Sequence, residues 1–183
     1  MRVEFETLGI PYSRPENDSS SRSYIDLKEE PDRSGELPEV QGWPELKTAI
    51  DKINAHKMFR TLGCASWVDD TNSPDSIRAV SYIGFCFLEI ERNRDALSYY
   101  GLFHHFAVFL SQRTLPKDLA MHFVVKMTGF NGGKLLVGWS SELHVQGFGP
   151  SVEEARTNAN LAFSLLTEFF EFFEKLQEPS LMI

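Results

Sequence analysis

The chain is poor in the residues that build reactive or cross-linked proteins. Only two cysteines occur in 183 residues, Cys64 and Cys86, each inside an apolar, strand-like run. No C-x-x-C pair exists, which argues against a zinc ribbon or a thioredoxin-like site. The pair reads as free, buried thiols of a reducing compartment. A chain of this length buries a full core without disulfide staples. No apolar run approaches the roughly 20 residues that cross a bilayer. The richest stretch, 99–110, is shorter and carries His104 and His105. The first residues lack a basic segment followed by an apolar one, so no leader peptide is expected. The expectation is a soluble, cytoplasmic protein. G-x-S-x-G, the phosphate loop, the dinucleotide glycine fingerprint and H-E-x-x-H are all missing, and with them the usual signatures of catalysis and cofactor binding. No cofactor, catalytic residue or metal centre is expected.

Basic residues are outnumbered, 18 against 26 acids, for a formal charge of −8. A field of that sign repels phosphates and anionic lipid heads. Direct nucleic-acid or membrane binding is therefore not expected, whereas a basic protein partner, or a second copy of the chain, is.

What is present is 42% apolar, with 15 phenylalanines. Residues 1–10 alternate weakly and read as an edge strand. Residues 11–42 hold four prolines, eight acids and four bases, too little apolar surface to offset the entropy of ordering. They read as an acidic, disordered loop or linker, with Tyr24 and Leu27 as a short docking patch. Residues 43–176 form one domain, and 177–183 a tail. Pro44 opens a helix whose Leu46, Ala49, Ile50 and Ile53 follow at helical spacing. Strands follow over 58–68 and 77–91, the second apolar on both faces until Glu89 and Glu91. A second helix over 95–112 presents Ala96, Tyr99, Tyr100, Phe103, Phe106, Ala107 and Leu110 on one side. Met121, Phe123, Val125 and Met127 alternate with polar residues, and 131–133 supply a hairpin turn. The return strand alternates through Val145. Ser151 and Glu154 read as a capping box for the last helix. The order is β-linker-αββ-αββ-α. It implies an α+β, two-layer fold: a mostly antiparallel sheet with about three helices packed on it.

Chemistry is sparse. His104 and His105 point about 100° apart on a helix, too far for one metal ion. His122 and His144 fall on one side of the hairpin, and with Glu142 they make a candidate polar site. Glu89 and Glu91 share a strand face, and paired carboxylates can split their pKa values. The first set reads more readily as a solvated polar face, and Glu89 and Glu91 as the point where the strand leaves the core. Phe169, Phe170, Phe172 and Phe173 cover more than one face of the last helix, which marks either deep burial or a partner interface.

From 134 to 166 the chain is similar to a known family. The strand Leu135-Leu136-Val137-Gly138-Trp139, the run ending Val145-Gln146-Gly147-Phe148-Gly149, then Ser151-Val152-Glu153-Glu154-Ala155 and Asn158 resemble the N-terminal domain of HicB-type antitoxins. There a glycine precedes a T-x-E-E-A-x-x-N helix start. The chain lacks that family's Pro-Gly pair and a C-terminal DNA-binding segment, so DNA binding is not carried over. The resemblance implies a non-catalytic domain that holds a basic partner such as a toxin nuclease. Three readings stay open: an acidic protein-binding domain of antitoxin or immunity type; a small enzyme or ligand-binding domain using strand His and Glu residues; and a structural subunit docking through its aromatic last helix.

Overall fold

The structure, a computed structural model, describes residues 5–8, 25–70, 76–131 and 135–176, with backbone alone for 5–8, 70, 131 and 135. Tyr24, residues 132–133 of the expected hairpin turn and the tail lie outside the described residues. The elements run β1 (Phe5–Leu8), two 3₁₀ turns (Pro31–Glu36 and Pro38–Val40), α1 (Pro44–Ala55), β2 (Phe59–Asp70), β3 (Ile77–Phe87), the single turn α2 (Ile90–Asn93), α3 (Ala96–Ser111), β4 (Leu119–Asn131), β5 (Leu135–Gly149) and α4 (Val152–Leu176). The fold is α+β. The sheet has the order β1-β4-β5-β3-β2. Every pairing is antiparallel except β1 with β4. The hairpins β2–β3 and β4–β5 meet along β3 and β5, each outer strand following its own helix, so the two αββ units are related by a rotation about the sheet normal.

Local signals set the helix ends. Pro44 takes the first position of α1. The Asp95 carboxylate accepts the Leu97 N–H, and the Ser151 hydroxyl accepts the Glu154 N–H, each satisfying a donor the helix leaves free. Along α4, Ala155, Ala159, Ala162, Phe163, Leu166, Phe169 and Phe170 are buried against Ile83, Phe85, Leu143 and Val145 of the sheet. The helix comes closest at Gly147. A β-carbon there would land inside the backbone of Ala155 and Ala159.

Three expectations are corrected. Strand β3 stops at Phe87 rather than 91. Asn93 ends it: its amide bonds both the N–H and the carbonyl of Phe87, at 3.0 and 2.8 Å. The side chain thus imitates a neighbouring strand while the chain turns through α2. The Tyr99 hydroxyl sits 2.6 Å from the same Asn93 Oδ1 and 2.8 Å from the Trp139 carbonyl. That anchor sets the phase of α3, so the second correction follows: Tyr99, Leu102, Phe106 and Phe109 are buried, while Tyr100 and Ala107 are exposed.

The third concerns the acidic stretch. Its described part, 25–42, is no free linker but a strap along α1 and β2. Leu27 and Val40 join the core, with Ile25 and Leu37 packed beside them. Lys28 Nζ donates to the carbonyls of Asn54 and His56 at 2.6 and 2.8 Å. Asp26 pairs with Arg60 at 2.9 Å, and Ser66 Oγ donates to the Glu39 carbonyl at 2.6 Å. Spaced single anchors, not a periodic face, hold it.

Because the α4 contact leaves no room for a side chain, Gly147→Ala should cost about 1–3 kcal/mol. Thermal unfolding of the variant against the parent measures it, with Gly63→Ala, where an added β-carbon meets nothing within 4 Å, as the tolerated control.

Candidate polar site

Three rings stand in a row across the face turned away from α1, α3 and α4. Tyr82 lies directly opposite His144, and His144 directly opposite His122. The ring centroids are 5.3 and 5.1 Å apart, with planes within 23° and 14° of parallel. Directly opposed residues on neighbouring strands bring their side chains this close. Glu142, two residues before His144, points to the same face. Its Oε2 is 2.7 Å from His144 Nε2, and its Oε1 accepts from Lys126 Nζ at 2.8 Å. The structure thus brings together His122, Glu142 and His144 and adds Lys126 and Tyr82, which sequence reading passed over. Cross-strand register, fixed by the hairpin, is the signal that finds them.

Glu142 is 8% exposed. Burial pushes its pKa up, but hydrogen bonds from His144 and Lys126 outweigh this and hold it below the usual carboxylate value. His122 is held below the usual imidazole value, by burial first and by His144 second. With Glu142 accepting, His144 Nε2 carries the hydrogen and Nδ1 is left as a proton acceptor. The cluster can orient an imidazole and balance one charge. Beside it Gly63 and Gly84 leave a hollow of about 40 Å³, bordered by Tyr82 and Glu142. Small-molecule sites hold roughly 300–1,000 Å³. The nearby hydroxyls of Thr128 and Ser140 are 2.6 Å apart and bonded to each other.

Glu89 and Glu91 are not part of this site. With β3 ended early they lie at α2, exposed, in ion pairs with Arg92 and Arg94 at 2.9 and 3.0 Å. His104 and His105 are exposed on α3. Both thiols are free, and burial pushes each up to about 12, which leaves them inert as nucleophiles. Among the described residues no group of three His, Cys, Asp or Glu side chains is arranged to hold a metal ion.

The candidate partner-binding residues separate. Leu27, Phe169 and Phe170 are core residues and cannot meet a partner in the folded chain. Phe173 is half-buried, its ring 6.2 Å from that of His56. Phe172 is 42% exposed. It lines a cleft of about 310 Å³ between α3 and α4, with Val108 and Phe109 as apolar walls and Arg113, Glu168 and Glu171 among the polar ones. Arg113 lies over the Phe109 ring at 3.4 Å and pairs with Glu168 at 3.2 Å. His56, unremarked in the sequence, ends α1 and is 3% exposed.

Comparison with protein-family models, with curated proteins and with solved structures finds no match. No helix among the described residues is long and apolar enough to cross a membrane.

A carboxylate with a lowered pKa adds stability above its ordinary value and loses it as pH falls through the folded value. Lys126→Met should therefore destabilise the fold by about 1–3 kcal/mol at pH 7. The deficit should shrink as pH falls through the lowered Glu142 value and the carboxylate takes a proton. Urea unfolding of parent and variant across that range measures both effects.

Proposed function

We propose that this chain is a non-catalytic, acidic protein-binding domain that holds a basic partner, as antitoxin and immunity proteins do. The observation that carries the reading is the α3–α4 cleft, where Val108, 46% exposed, and Phe172, 42% exposed, face solvent between the charged side chains of Glu168 and Glu171. Exposed aromatic and aliphatic anchors with a polar rim are the anatomy of a protein interface. The formal charge of −8 favours and steers a positively charged partner. The Ser151 cap and the strand-to-helix turn that the antitoxin resemblance rests on are compatible with this reading.

The Glu142–His144 contact favours a second reading, a small acid/base or ligand site. It is the weaker of the two, because the adjoining hollow is far smaller than a ligand pocket and both carboxylate oxygens are already engaged. Self-docking through α4, the structural-subunit reading, would use the same cleft.

The test compares the immobilised full chain with its Val108→Glu and Phe172→Glu variants. The parent should retain a basic protein, identified by mass spectrometry. Affinity should fall by about tenfold or more in each variant and weaken as salt rises. Retention undiminished in both variants removes the cleft as the docking place. A parent that sediments as a dimer, with monomeric variants, replaces the partner with a second copy.

A further inference from the structure

We infer that His56 is a proton-operated latch that fastens the 25–42 strap to the domain. The ring sits at the turn that ends α1, where the His56 N–H closes the helix on the carbonyls of Lys52 and Ile53. Its Nδ1 accepts the Met58 N–H at 3.1 Å, so the neutral ring carries its hydrogen on Nε2. That Nε2 is buried and has no hydrogen-bond partner. Rings of Phe59, Phe170 and Phe173 surround it at 5.0, 5.8 and 6.2 Å.

The site accommodates neutral imidazole and resists imidazolium. A second proton would go onto Nδ1, where it would face the Met58 N–H instead of accepting from it. The charge would also stand among aromatic rings, out of water. The charged groups that face His56 are Lys52 on α1, Glu174 on α4, Lys28 on the strap and Lys57 in the turn. Burial is the largest influence and lowers the His56 pKa; Glu174 opposes it, and the three lysines add to it. Glu174 is itself engaged by Lys52 at 3.2 Å.

The same residue holds the strap. Its carbonyl, with that of Asn54, receives the Lys28 ammonium. A ring that swings out to take a proton turns the residue that presents this carbonyl, and the ammonium loses part of its seat. The strap touches β2 at Arg60 and Ser66, and β2 ends the sheet. Release therefore frees the Arg60 and Ser66 side chains of this last strand from the strap. The sign follows from the lowered pKa. The open state binds a proton that the closed state refuses, so opening is favoured as pH falls below the ordinary imidazole value, about 6.5.

Hydrogen exchange tests this on the full chain. The amides of Leu37, Val40, Gln41 and Trp43 donate backbone hydrogen bonds within the strap and its junction with α1. Corrected for the intrinsic rate, their protection should fall about tenfold between pH 7.5 and 5.5, the effect of one proton taken up on opening. Core amides of β3 and β5 should not change. His56→Gln, or His56→Asn should the first fail to fold, removes the titration and should leave strap protection independent of pH. His122→Gln should keep the tenfold fall. A flat profile in the parent, a fall that persists in both His56 variants, or a fall shared equally by the core amides overturns the latch.

Discussion

The contact on which the rest of the structure depends is the seating of α4 on Gly147. A helix backbone that touches a strand backbone needs small residues on both sides, and Ala155 and Ala159 meet Gly147 there. Once α4 is set at that height, its phenylalanines reach the sheet further along. Phe170 packs edge-on to Phe59 and Phe85, and Phe169 to Phe106 and Phe109 of α3. One close approach thus fixes the depth of the helical layer. The cleft opens between the C-terminal parts of α3 and α4.

The two faces of the sheet are used differently. One is filled by helices and is almost wholly apolar. The other carries ion pairs and a small cluster in which one carboxylate serves a lysine and a histidine at once. Both oxygens of that buried carboxylate are engaged without a ligand. That self-sufficiency, more than the lack of a catalytic motif, turns the functional reading toward the helical side.

The periodic elements were legible in the sequence, and the single-residue decisions were not. Alternation located β4 and β5, strand-like and doubly apolar runs located β2 and β3, and helical spacing located α1, α3 and α4, because burying a face imposes a pattern. The early end of β3 depends on Asn93 copying a strand partner from six residues away, which no period records. The phase of α3 depends on one hydroxyl reaching Trp139, forty residues on. The strap looked like a linker because its composition is that of one; Leu27 and Val40 hold it by position, not by number. At the candidate site, His122, Glu142 and His144 were found through hairpin alternation. Glu89 and Glu91 were misplaced by the same strand error.

The parallel strand at the sheet edge bears on how the chain is made. Phe5–Leu8 pairs with Met127–Phe130, so this strand has no partner until β4 has been synthesised. The two αββ units need nothing from it and can assemble first. Long-range pairing of this kind adds loop-closure entropy late in folding and slows the final step. The N-terminal strand is therefore the last piece of the sheet to dock, and until then the outer edge of β4 stays open during synthesis.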